Sequence, residues 1–402
     1  MSSSPLSRIQ DALKTYQSAI IKLASDLVAI PSENPPRKNY VVCVARILKE
    51  LDALGIKYET YDAPPHGNEP RTNIIAFAGT GKRTVYLHGH YDVVPAQSQE
   101  QYSPRVEGGY LYGRGSTDMK GGLAAMIYSA FIAGKLNLLG NGRIGVCIVP
   151  DEESGGQGGA GYLDQIGAIG RDGIAAINAE PTSGVIWNAS RGALTLNVTV
   201  KGKVAHVGLQ HQGVNAFELM LKVAGALQKL KAEVEPRVTR YHVEPPESAH
   251  SILMLGGRVE GGINYNAVPG FCSFTVERRT NPDEDYETEK KRVYNVLDTC
   301  RREGIGIDVE VLQECSSSGV SQDNDAAKAL AASIEAVTGK PALFEMCPGT
   351  AETRWYAKRG IPAFGYGPGL LELAHGPNER VEIEDIFRHC AIQALTAATL
   401  LG

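Results

Sequence analysis

Three apolar stretches of strand length each run straight into residues that bind protons or metals, and this repeat constrains the fold more than any other feature. RTVYLHGH ends on His90 with Asp92 just beyond; IGVCIVP runs into Asp151, Glu152 and Glu153; GIAAINA runs into Glu180. Apolar runs without alternation are the mark of strands buried on both faces, as in parallel sheets covered by helices. Helical periodicity separates them, in residues 15–30 (TYQSAIIKLASDLVAI), 39–54 and 118–133. The first of these stops before PSENPPR, where Pro31, Pro35 and Pro36 forbid continuation. The third is expected to be entered by Asp118, a residue type that caps helices. Strands alternating with helices predict an α/β domain, and in open α/β sheets the carboxyl ends of the strands form the active crevice.

The rhythm changes near residue 187. WNASRGALTLNVTVKGK alternates with period two, a helix follows at about 214–230, SAHSILMLGGRVE and GFCSFTVERRT read as strands, and 283–303 is a charged amphipathic helix. This β-α-β-β-α order suits a small α+β domain with an antiparallel sheet. After about 308 the first rhythm returns, with a helix at 324–338, strands near 342–346 and 362–366, and a closing helix at 385–400. The expected organisation is one catalytic domain in two parts, 1–187 and 308–402, split by an insertion at 188–307.

Composition excludes several classes. A net charge of -5 without a long basic run argues against a nucleic-acid platform. Seven scattered cysteines, with no CxxC spacing, read as free thiols in a reducing compartment. The N-terminus lacks the basic-then-apolar layout of a signal peptide, and no apolar stretch is long enough to span a bilayer. A cytoplasmic protein without membrane contact is expected.

The residues of ligand type are His90, Asp92, Asp118, Asp151, Glu152, Glu153, Glu180 and His375. Singly, each has an ordinary reading: a turn histidine, a solvated acidic loop, a helix cap. Together they form a mixed nitrogen and oxygen set suited to Zn²⁺, Mn²⁺ or Co²⁺. No thiolate stands at ligand spacing, which argues against a structural zinc knuckle. A shared carboxylate can hold two such ions side by side, the arrangement used for hydrolysis.

On these residues and their surroundings the sequence resembles the zinc-dependent M20 metallopeptidase superfamily, which includes acetylornithine deacetylases, succinyl-diaminopimelate desuccinylases, aminoacylases and glutamate-releasing carboxypeptidases. The motifs are LVAIPSENPP, YLHGHYDVVP, LYGRGSTDMKGG, PDEESGGQG, AEPT, VAHVGLQHQGVNA, NYNAVP, GTAETR and GPGLLELAHGPNE, in the expected order from residue 27 to 379. The resemblance implies a zinc-peptidase-like catalytic domain with a mixed central sheet, interrupted by an α+β (ferredoxin-like) lid and dimerisation domain. It implies two divalent cations, zinc first, with cobalt or manganese as alternatives. His90 and Glu180 match ligands of one ion, Glu153 and His375 ligands of the other, and Asp118 the bridge. Asp92 matches the carboxylate that steadies His90, and Glu152 the general base. His206, in KVAHVG, matches a histidine that stabilises the oxyanion and that, in dimeric relatives, reaches the neighbouring subunit's site. Asn266 matches a substrate contact and Arg354 the arginine that grips a substrate carboxylate. Arg279 fits another family arginine, although the adjacent Arg278 leaves its register open. Gly367, Gly369 and Gly376 are expected to let the His375 loop approach the ions closely.

The sequence departs from the pattern at Ser116 and Thr117, at Cys347 and Pro348, and at Glu352, where an aspartate is common. His88, two residues before His90, reads as a buried polar residue rather than a third ligand. The resemblance thus implies metal-dependent hydrolysis of an N-acyl amino acid by a homodimer, with dipeptide or carboxypeptidase cleavage as the alternative. A non-catalytic binding protein on this fold is the remote reading, since the metal ligands and the base are all present. The helix at 214–230 and an edge strand near 200 are the expected dimer contacts.

Overall fold

The structure is a computed structural model, described for residues 4–65 and 69–402. It divides into two compact units: Met1–Asn188 with Val320–Glu345 and Glu352–Gly402, and Ala189–Gly319 with Met346–Ala351. The main helices are α1 (Pro5–Val28), α2 (Tyr40–Ala53), α3 (Gly121–Lys135), α4 (Ala160–Gln165), α5 (Ala216–Val234), α6 (Tyr286–Arg302), α7 (Asp325–Thr338), α8 (Thr353–Ala357) and α9 (Ile383–Leu401). The strands used below are β1 (Lys57–Ala63), β2 (Arg71–Gly79), β3 (Thr84–His90), β4 (Arg143–Val149), β5 (Gly173–Pro181), β6 (Ile186–Ser190), β7 (Gly192–Lys201), β8 (Ile252–Gly261), β9 (Phe271–Thr280), β10 (Ile307–Cys315) and β11 (Ala363–Gly367).

In the first unit the sheet runs β1-β2-β4-β3-β5-β11-β6. The three pairs β3–β4, β3–β5 and β5–β11 are parallel, while β1–β2, β2–β4 and β6–β11 are antiparallel, so the sheet is mixed. Strand β3 is buried at every residue, which explains why its sequence shows no alternation. Helices α1, α3, α7 and α9 supply the core on one face; α3 is buried all round, as its apolar composition requires. A smaller cluster around Tyr86, Cys147, Leu163 and Tyr356 covers the other face. None of the seven cysteines forms a disulfide, and no helix among the described residues is long and apolar enough to cross a membrane.

The second unit has the order β7-α5-β8-β9-α6-β10, with an antiparallel sheet ordered β8-β9-β7-β10. This is the ferredoxin-like arrangement. Its core joins the inward faces of the sheet to Val223, Leu227, Val293 and Leu297 of the two helices. The Asn215 side chain caps α5 and Asp285 caps α6, each accepting from a backbone N–H of the first turn. Two expectations are corrected. Strand β7, which ends at residue 201, is central rather than an edge; the edges are β8 and β10. The return near 308 falls inside β10, which pairs with β7 and carries the second unit on to residue 319.

Candidate metal centre

The ligand-type residues of the first unit meet at the carboxyl ends of its parallel strands. His90 is the last residue of β3, Glu180 lies near the end of β5, and Glu153 sits on the turn after β4. His375 follows β11 in a left-handed conformation, φ 61°. Gly367 lies so close to β5 that a Cβ there would sit 2.1 Å from the Ala179 carbonyl oxygen, and Gly369, at φ 104°, abuts Thr117. Both positions therefore need glycine.

Asp118 does not enter a helix. Its backbone is extended (φ -120°, ψ 95°), and α3 starts three residues later at Gly121. The N–H groups that Asp118 would cap, those of Lys120 and Gly121, donate instead to the carbonyls of Gly115 (2.7 Å) and Ser116. Glu379 Oε1 accepts from the backbone N–H of Thr117 (3.0 Å) and of Asp118 (3.1 Å) and so fixes this segment, and the two oxygens of Asp118 face the two histidines.

The donor atoms form two groups that share Asp118: His90, Asp118 and Glu180, and Asp118, Glu153 and His375, each with its atoms within 4.8 Å of one another. His90 Nε2 lies 3.1 Å from Asp118 Oδ1 and 3.5 Å from Glu180 Oε1. His375 Nε2 lies 3.3 Å from Asp118 Oδ2 and 3.3 Å from Glu153 Oε2. Two ligands bound tetrahedrally at about 2.0–2.1 Å stand about 3.3–3.4 Å apart, so these spacings match the first shell of a divalent ion of zinc size. The residues present thus fit two cations, each with one imidazole, one terminal carboxylate and one oxygen of Asp118.

Without ions the cluster is electrostatically crowded. Burial raises Glu152 well above the ordinary carboxylate range, and the charge of Glu180 adds to this. Burial and the charge of Asp118 push Glu180 up to about 7. Burial would raise Asp118, but hydrogen bonds with His375 and His90 more than offset this and hold it low. Hydrogen bonds to Asp118 and Glu153 lift His375 to about 10. Glu152 belongs to neither ligand group among the described residues.

Asp92 supports the centre with both its main chain and its side chain. His90 Nδ1 lies 2.9 Å from the backbone oxygen of Asp92 and 3.4 Å from its carboxylate. The carboxylate also accepts from the backbone N–H of Glu152 (3.3 Å) and Glu153 (3.2 Å) and from the Asn34 side chain (2.8 Å). Asp92 therefore orients the imidazole with its main chain and the acidic turn with its side chain. Asp151, at φ 64°, anchors the start of that turn through Arg37, Arg71 and Tyr40. His88 joins neither ligand group; it bonds to Glu352 and Tyr356. Burial would lower its pKa, but the adjacent Glu352 charge helps raise it to about 10.

Arg354 is buried rather than a surface ion-pair residue. Its Nη2 donates to the Gly155 carbonyl (3.1 Å), its guanidinium lies 4.9 Å from the centre of the Trp355 ring, and its Nε has no hydrogen-bond partner among the described residues. In the second unit, His206 and Asn266 are brought together: the Val207 N–H donates to the Asn266 carbonyl (2.9 Å), and His206 bridges to Ala267. Adjacent residues on a strand face opposite ways, and this separates the two arginines of β9. Arg278 is buried on Glu284 and Glu289, whereas Arg279 lies on the more open face beside Glu277. Sequence reasoning missed Arg114 and Glu379, although both stand within quoted motifs.

The sequence profile described as Peptidase family M20/M25/M40 matches residues 86–399. The chain is 27% identical to a probable succinyl-diaminopimelate desuccinylase of Staphylococcus aureus (strain N315), over 93% of this chain and 97% of the relative. It is 29% identical to a succinyl-diaminopimelate desuccinylase of Bordetella petrii, over 92% and 95% of the two chains. The fold matches that of the M20 family metallo-carboxypeptidase Sso-CP2 from Sulfolobus solfataricus, with a TM-score of 0.74 at 17% identity, over 94% and 98% of the two chains.

Proposed function

The chain belongs to peptidase family M20/M25/M40 and is a metal-dependent amidohydrolase; from that premise we propose that it hydrolyses the amide bond of an N-acyl amino acid, with Glu152 as general base. The observation that carries this reading is the placement of Glu152. It sits beside the ligand Glu153 on one turn, its N–H is held by Asp92, and it remains outside both ligand groups. A carboxylate whose proton affinity burial raises is suited to take a proton from water and return it.

Two cations held by His90, Asp118, Glu180, Glu153 and His375 would polarise the carbonyl and acidify water. Glu152 accepts the proton of the attacking water and delivers it to the departing nitrogen. Arg354 receives the substrate carboxylate, a planar anion that matches its guanidinium. His206 donates to the developing oxyanion, Asn266 contacts the substrate, and Arg279 adds positive charge. The reading includes zinc as the cation, a homodimer in which His206 serves either its own or the second copy's site, and a cytoplasmic location. The desuccinylase names of the similar chains support an acyl amino acid as substrate.

The test is a panel of N-succinyl-diaminopimelate, N-acetylornithine, other N-acyl amino acids and dipeptides, assayed with metal-loaded protein. Turnover of acyl amino acids is expected; turnover of dipeptides alone replaces this reading with a peptidase one. Glu152→Ala should abolish turnover while two ions stay bound, and surviving activity would remove Glu152 as base. Full activity from a monomer would count against His206 acting on a second copy.

A further inference from the structure

The turn that bears Glu152 is clamped from beneath by Arg354 and by two residues, Glu352 and His88, to which the hydrolytic reading gives no part. Glu352 immediately precedes α8 and is 1% exposed. Its Oε2 lies 2.6 Å from His88 Nε2, and the other ring nitrogen of His88 lies 3.1 Å from the Tyr356 hydroxyl on α8. His88 itself is wholly buried on β3, the central strand that ends in His90. The second oxygen of Glu352 has no hydrogen-bond partner among the described residues and packs against Gly156; a Cβ on Gly156 would lie 2.4 Å from it. Two residues on, Arg354 donates to the carbonyl of Gly155. The N–H groups of Gly155 and Gly156 in turn bond to the carbonyls of Glu152 (2.8 Å) and Asp151 (2.7 Å). Asp92 thus fixes the leading end of the turn and the Glu352–Arg354 segment its trailing end.

We propose that Glu352, anchored on His88, is a positioning residue for Glu152, holding the Gly155–Gly156 end of the turn so that the base faces the ligand groups. A histidine enters the floor of the sheet at 88, and the residue at 352 is a glutamate long enough to meet it while still touching Gly156. Neither residue reaches the reacting atoms. The effect belongs to the rate of the chemical step, because a base displaced by about 1 Å loses on the order of 100-fold in rate, while substrate contacts made elsewhere persist. The inference rests on the reading of Glu152 as base.

The test is steady-state kinetics on the best substrate of the panel above, with metal content measured on each protein. Glu352→Gln keeps the shape of the side chain. A double variant, His88→Gln with Glu352→Gln, removes both charges together and so leaves no unpaired ion in the interior. Both are expected to lower kcat ten- to a hundredfold, the range of outer-shell supports, with KM within about threefold and two ions still bound. Glu352→Asp keeps a charge near His88 but is one methylene too short to touch Gly156 as well, so it should lower kcat in the same way. A double variant with parental kcat, or one whose loss lies entirely in KM, overturns the proposal. Glu152→Gln runs beside them. If it keeps turnover, the reading of Glu152 as base has failed; if it is inactive while the double variant is parental, only the positioning role has failed.

Discussion

Arg114 and Glu379 form a buried ion pair, 2.5 Å from Nη1 to Oε2 with both side chains 1% exposed, and this pair ties together two candidate metal ligands that lie far apart in sequence. The other oxygen of Glu379 holds the N–H groups of Thr117 and Asp118, and the other terminal nitrogen of Arg114 donates to the His375 carbonyl (3.0 Å). The carboxylate shared by the two candidate groups and the histidine loop are therefore set by one interaction.

Removing one partner leaves an uncompensated charge in the interior. Arg114→Met or Glu379→Ala is expected to cost roughly 3–5 kcal/mol of folding stability. Urea unfolding measures this, and elemental analysis should show the ion at Glu153 and His375 weakened. A variant with parental stability and two bound ions would refute the role of the pair.

How such features could have been read in advance differs from residue to residue. His90, Glu153 and Glu180 were legible because each ends or follows an apolar strand, and strand ends converge whatever the rest of the chain does. Asp118 was legible as a ligand but not in its backbone, since an aspartate before an apolar run looks like a helix cap. The N–H groups it would cap are taken by the carbonyls of Gly115 and Ser116, and its own N–H by Glu379, 261 residues away, which no periodicity reveals. The β-α-β-β-α order of the second unit is readable from alternation, whereas the central place of β7 is not, because alternation marks one covered face and says nothing of the strand's neighbours. Asp92 shows the same limit on a smaller scale. The sequence places a carboxylate beside His90, but which of its oxygens meets which partner depends on the course of the turn after β4.

Asp92→Ala should loosen that turn. Metal affinity is expected to fall about ten- to a hundredfold, as for other supporting groups, and kcat should fall with it even when the ions are supplied in excess. Titration with a competing chelator, followed by kinetics at saturating metal, separates the two effects.

In the second unit, Glu284 and Glu289 are shared by Arg278 and Arg237. Burial raises both carboxyls. For Glu289, hydrogen bonds from Arg278 and Arg237 more than offset this; for Glu284, hydrogen bonds from Ser251 and the Asn281 N–H lead, with Arg278 adding. Both therefore end below the ordinary value of 4.5. The unfolded chain then binds more protons in acid, so the stabilisation is complete above about pH 4.5 and is lost as pH falls through the folded-state values. Unfolding midpoints measured from pH 7 down to pH 3 should decline, and Glu284→Gln with Glu289→Gln should flatten that decline. An unchanged slope would remove these groups from the acid response.

Removal of divalent ions by a chelator should abolish turnover and lower the thermal midpoint, because like charges then face one another around Asp118. Returning Zn²⁺, Co²⁺ or Mn²⁺ should restore stability by about 1.4 kcal/mol for each tenfold excess over the dissociation constant. The cation that restores both stability and turnover at the lowest free concentration identifies the preferred metal.

The division of Asp118 between two histidines, one oxygen toward each, makes occupancy a property of the pair of sites rather than of either alone. An ion on one side draws charge from a carboxylate that the other side also uses, while relieving the repulsion both sides feel. Whatever factor the first ion imposes on the second, the second imposes on the first. Loading should therefore follow a coupled isotherm that Asp118→Asn splits into two independent ones, and half-loaded protein becomes a state whose abundance depends on that single side chain.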